Sequence, residues 1–233
     1  MIKFSDAENK TDNIETPDTT CYKDIKSNKE ISDNEVHSFW SYIFSGEENS
    51  EYFDFTEDEL EIISEIYDRD EDEFEFDFDI SDTSLQEVLD KFKEEDWNTL
   101  DETQKAEVVE TFVNTLCEKL DIENQPKLVF FDGDESNCGA FNFKTNEISI
   151  NRNLLSDPKE LVDTIAHESR HAYQYQRGCI GETRMDQLYK FNFEHYIFPE
   201  EKDGHYLNYN EYSDQLIEAE ARAFASLFYE DRV

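Results

Sequence analysis

Apolar positions in the second half of the chain recur at three- and four-residue intervals. Val108, Phe112, Val113, Leu116 and Leu120 follow Asp101-Glu102-Thr103-Gln104, and predict a long helix opened by a polar cap. Ser84 to Trp97 predicts a shorter helix ahead of it. Lys127 to Phe131, Gly139 to Phe143 and Glu147 to Ile150 read as strands, the last two joined through Lys144-Thr145-Asn146 as a hairpin. Asp157-Pro158 starts another helix, with Asp at the cap and Pro in the first turn; it runs to about Tyr175, and Arg177-Gly178 ends it. Tyr189 to Pro199 is rich in aromatics without a clear period. Ser213 to Tyr229 predicts a final helix.

The first third reads differently. Residues 1–34 have few large apolar side chains, too few to offset chain entropy, and are expected to form a disordered acidic tail. Residues 35–83 form an acidic, aromatic-rich segment, read as an interaction or pro-region. Within it Phe39, Trp40, Tyr42, Ile43 and Phe44 call for a docking surface. Leu60, Ile63 and Tyr67 have helical spacing, and Phe74 to Ile80 alternates with the period of a strand. Residues 84–233 then make one α+β domain: a small sheet with a hairpin, packed on helices.

Charge sharpens this division. The chain of 233 residues holds 59 acidic and 21 basic side chains, a net charge of −38. Residues 1–100 carry 32 acidic and 8 basic groups; the remainder carries 27 and 13. Such a surface excludes ordinary binding to nucleic-acid phosphates and argues against attraction to anionic membranes. It favours basic peptides or proteins as partners, both for the domain of residues 84–233 and for the acidic N-terminal region. No apolar run reaches 18 residues, and the N-terminus has no apolar core of a signal peptide, so a cytoplasmic protein is expected. Cys21, Cys117, Cys138 and Cys179 are widely spaced and read as reduced, structural thiols.

The chemistry lies in His167-Glu168-Ser169-Arg170-His171. Residues i and i+4 of a helix lie above one another, so two imidazoles can converge on one zinc ion. Glu168 then stands beside the metal as a general base for water. A third ligand is expected from a second helix packed close by. Gln215 to Ala225 has alanine at four alternate positions and offers Glu218 and Glu220. His205, Tyr206, Tyr209 and Tyr212 are candidate donors to a developing oxyanion. Arg170 reads as a structural ion pair, and His37 and His195 as bystanders.

HExxH followed by Glu218-x-x-Ala221-x-x-Phe224-Ala225 resembles the gluzincin branch of zinc metallopeptidases. In the related membrane-embedded proteases the third ligand is the Glu that matches Glu218. The order helix, strand, hairpin, HExxH helix, Glu helix is similar to small soluble ImmA/IrrE-type peptidases and to domains of bacterial toxin systems, over roughly residues 100–230. The resemblance implies a minimal zincin-like fold, one catalytic Zn2+ on His167, His171 and Glu218, and hydrolysis of peptide bonds with Glu168 as base. It also implies an edge strand of the hairpin that binds substrate. Arg222 departs from the Asp or Asn that the family carries there. The alternative is a catalytically silent zincin-fold binding protein whose acidic region docks a basic partner.

Overall fold

The computed structural model describes residues 74–134, 137–199, 201–202 and 205–228, with backbone alone at 201–202, 205–206 and 211. The expected tail, the docking aromatics and the helix at residues 57–67 lie outside the described residues. The described chain divides into two compact units: residues 74–177 with 220–228, and residues 178–219. Both dividing lines fall inside helices.

The first unit begins with α1 (Thr83–Leu89), a 3-10 turn (Asp90–Phe92) and α2 (Glu94–Trp97). The single helix expected over Ser84–Trp97 is thus broken at Lys93, whose ψ of 133° is not helical. The reason is packing. Phe92 and Trp97 stack at 5.0 Å and both are buried, whereas residues five apart on one helix would point about 140° away from each other. Trp97 Nε1 donates to Leu155 O at 3.0 Å, which ties this corner to the turn before the HExxH helix.

Helix α3 (Glu102–Lys119) opens with a capping box: Asp101 accepts from the Gln104 amide, and the Gln104 side chain accepts from the Asp101 amide. Its Val109, Phe112, Val113 and Leu116 enter the core. Strands β1 (Lys127–Phe131), β2 (Gly139–Asn142) and β3 (Glu147–Asn151) form one sheet in the order β1-β3-β2. β1 pairs with β3 in parallel, and β2 pairs with β3 as the antiparallel hairpin that the sequence predicts. Asn142 Oδ1 accepts from the amides of Lys144 and Thr145 in the connection, and Asn146 takes a positive φ of 51°. Ile148 and Ile150 of the central strand are fully buried.

A 3-10 turn (Arg152–Ser156) leads into α4 (Pro158–Ile180). Asp157 Oδ1 accepts from the amides of Lys159 and Glu160, as its place before Pro158 predicts. The helix does not stop at Gly178. A Cβ there would stand 3.0 Å from the backbone N of Lys190, so this glycine permits a close backbone approach inside the second unit. Gly181, with φ of 69°, is the residue that ends the helix.

Phe74 to Ile80 forms no strand, although its alternation is real. Phe76, Phe78 and Ile80 pack against the core while Glu75, Asp77 and Asp79 are exposed. The segment lies on aromatic side chains and not on a sheet edge: Phe76 meets Phe224 at 5.4 Å and Phe78 meets it at 5.0 Å, both edge-on.

The second unit contains the end of α4, then α5 (Arg184–Glu194), capped by Thr183 and Asp186. The aromatic stretch of uncertain form is therefore helical up to Glu194. A two-stranded ribbon follows, β4 (Glu201–Lys202) with β5 (His205–Tyr206), then α6 (Tyr209–Ser213). The last helix, α7 (Leu216–Ser226), starts later than Ser213 and runs from this unit into the first. Among the described residues no helix is long and apolar enough to cross a membrane. Cys117 and Cys138 are free thiols, but Cys179 is disulfide-bonded, which corrects the reading of all four cysteines as reduced.

Candidate metal centre

Helix α4 sets the frame. Leu161, Ile165 and Ala166 face the core and are fully buried. His167, Arg170, His171 and Gln174 occupy i, i+3, i+4 and i+7, a continuous stripe on another face. The rings of His167 and His171 cross edge to face at 4.6 Å between centroids, with their Nε2 atoms 3.0 Å apart. His171 is buried, and His167 is partly exposed.

Glu218 on α7 completes the set: one ligand atom each from His167, His171 and Glu218 lie within 4.8 Å of one another. Glu218 is 2% exposed and Glu220 is 4% exposed. Two residues apart on a helix they point about 200° away from each other, so they cannot take the same place. Glu220 instead pairs with the Arg170 guanidinium and accepts from Gln174 Nε2 at 2.6 Å. The candidate third ligand is therefore Glu218. Arg170 is the ion-pair residue that the sequence suggests. Its guanidinium also lies over the rings of Tyr173, Phe76 and Phe224, at 4.2, 5.0 and 5.2 Å.

Glu218 has its own partner within the second unit. Tyr196 donates its phenol proton to Glu218 Oε1 at 2.7 Å. Burial, followed by the Glu218 charge, pushes this phenol well above its ordinary pKa, so it is a donor. A knot of amides fixes both backbones involved. Gln215 Oε1 accepts from the Ile197 amide at 2.7 Å, and Gln215 Nε2 donates to Ile197 O at 2.9 Å. Asn192 donates to Gln215 Oε1 and accepts from the Ile217 amide. Ile197 follows Tyr196 and Ile217 precedes Glu218, so the knot clamps the chain beside each partner of the hydrogen bond.

The other candidates are distributed unevenly. Glu168 is 7% exposed, on the turn that carries His167. Tyr212 lies edge-on to Tyr196 at 6.2 Å and hydrogen-bonds its side chain. Tyr209 is on the surface, 54% exposed. The His205 backbone is in β5, and its side chain lies outside the described residues. Asp163, one turn before His167, is pushed upward by burial and by Glu160, with His167 opposing. Tyr196, Gln174, Asn192 and Gln215 went unrecognised in the sequence. The aromatic run around Tyr196 was the one visible signal for it, since Gln and Asn carry no spacing signature.

The donor set suits zinc. Two imidazole nitrogens and one carboxylate oxygen leave a fourth position, the pattern of a catalytic site. Two nitrogens on a tetrahedral zinc would stand about 3.3 Å apart, close to the 3.0 Å found between His167 and His171. Gly139 brings the hairpin against this helix: a Cβ on it would lie 2.8 Å from Thr164 Cγ2 and 2.8 Å from Ser149 O. β2 is thus an edge strand one helical turn from His167. In comparisons with known proteins, no family model, no curated protein and no solved structure matches this chain.

Proposed function

We propose that the chain is a zinc-dependent peptidase. The observation that carries this reading is the meeting of His167, His171 and Glu218, with Glu168 intact and buried beside them. His167, His171 and Glu218 would hold the ion. Zinc, when bound, supplies a Lewis acid for the scissile carbonyl and makes water acidic enough to deprotonate near neutral pH. Glu168 takes the proton of the attacking water and returns it to the leaving amine. Tyr196 keeps Glu218 in place throughout.

The resemblance to gluzincins and to ImmA/IrrE-type domains supports the same chemistry. An extended substrate adds along the edge of β2, where backbone groups supply affinity and alternate side chains supply selection. A net charge of −38 draws basic peptides toward the enzyme, and added salt weakens that attraction. The acidic N-terminal region offers a second surface for a basic partner.

The test combines metal content with turnover. Elemental mass spectrometry of the full chain is expected to give about one zinc per molecule, and much less for Glu218→Ala. Glu168→Gln is expected to keep zinc and to lose cleavage of a basic peptide library by about 100-fold or more. A parent that takes up no zinc, or a Glu168→Gln variant that cleaves at the parent rate, overturns the reading.

A further inference from the structure

We infer that Gln174, oriented by Glu220, is a positioning residue that fixes His171 in the tautomer presenting Nε2 to a metal. The inference rests on the reading of His171 as a ligand, and it assigns the groups that prepare this ligand.

Gln174 is fully buried, and its amide meets two different partners. Nε2 lies 2.6 Å from Glu220 Oε2, and Oε1 lies 2.9 Å from His171 Nδ1. The orientation of a side-chain amide follows from what its neighbours can accept. An ionised carboxylate only accepts, so the NH2 end must face Glu220. The carbonyl end then faces His171 and can only accept as well. The proton of the neutral imidazole is therefore on Nδ1, and the lone pair is on Nε2. Nε2 is the atom that faces His167 Nε2, at 3.0 Å.

Glu220 can orient the amide because its other oxygen, Oε1, is fixed by Arg170. Arg170 supplies the guanidinium, and Tyr173, Phe76 and Phe224 surround that cation with ring faces. The order of dependence runs from Arg170 to Glu220, to Gln174, to His171. Arg170 and Gln174 reach Glu220 together because they stand four residues apart on α4. Histidine ligands are commonly tuned through the ring nitrogen that does not touch the metal, usually by a carboxylate or carbonyl. Here an amide relays the carboxylate, so Nδ1 donates to a neutral oxygen and the negative charge stays one group away.

The experiment reads the tautomer directly, without metal. Long-range 15N–1H correlation spectra of the metal-free full chain, at mildly alkaline pH, distinguish Nδ1–H from Nε2–H imidazole at His171. The parent is expected to hold Nδ1–H. Glu220→Gln, which removes the obligate acceptor, and Gln174→Leu, which removes the relay, are each expected to give a mixture or the Nε2–H form. Zinc affinity, by competition with a chromophoric chelator, is expected to fall about 10- to 100-fold in both. Gln174→Leu keeps the Arg170–Glu220 pair and serves if Glu220→Gln fails to fold. A parent with Nε2–H at His171, or a folded variant with an unchanged tautomer, overturns the inference. A parent that shows the expected tautomer but binds no zinc overturns the metal reading alone.

Discussion

Tyr196 donates its phenol proton to Glu218, the carboxylate that meets two histidines of another helix. The bond holds Oε1 of Glu218 at 2.7 Å. It comes from a stretch with no helical or strand period, held in register by the side chain of Gln215.

Removing that phenol should affect the metal more than the fold. Tyr196→Phe keeps the ring and its edge-on contact with Phe198 at 4.9 Å. Zinc affinity should fall about 10-fold, the usual scale for the loss of a group that orients a ligand. The melting temperature of the metal-free protein should change little. An affinity equal to the parent's would mean that Glu218 is held without Tyr196.

Glu194, at the end of α5, gives a prediction in pH. Burial pushes its carboxyl up to about 7, with Lys190 opposing. The folded state thus keeps a proton that the unfolded chain releases near 4.5. Stability from this group is complete below pH 4.5 and is lost as pH rises toward 7. The full shift corresponds to about 3 kcal/mol, and part exposure to solvent reduces it to about 1–2 kcal/mol. Glu194→Gln should therefore raise the melting temperature at pH 8 and leave it unchanged at pH 4. Equal effects at both values would argue against a buried, proton-holding carboxyl.

Gly178 is predicted to tolerate no side chain. The backbone N and Cα of Lys190 stand 3.0 and 3.2 Å from the place of a Cβ, and backbone cannot swing aside. Although alanine is the better helix former, Gly178→Ala should destabilise by about 1–3 kcal/mol, measured by denaturant unfolding. A gain in stability would show that the two helices can separate at no cost.

The parts of this molecule that were legible in the sequence are those written in local spacing. His167 and His171 announce themselves four residues apart, Asp101 and Gln104 announce a helix start, and the hairpin shows through its alternation. Glu218 was legible through the small residues that follow it. Gly178 was misread because a glycine that ends a helix and a glycine that admits a neighbouring backbone look alike in one dimension. Phe74 to Ile80 was misread for a related reason: a period of two reports one buried face, whether a strand or a set of rings covers it. Gln174 and Tyr196 were invisible because their roles depend on which rotamer meets which helix, and no interval in the chain encodes that.

The ring contacts of Phe76 and Phe78 bear on how this protein can be shortened. Phe224 receives both rings, and Arg170 lies against one of them. A fragment starting at residue 84 would open a slot of two aromatic side chains behind the HExxH helix and wet the cation that keeps Glu220 in place. Cleavage between Phe76 and Ile80 would therefore remove core side chains together with acidic charge.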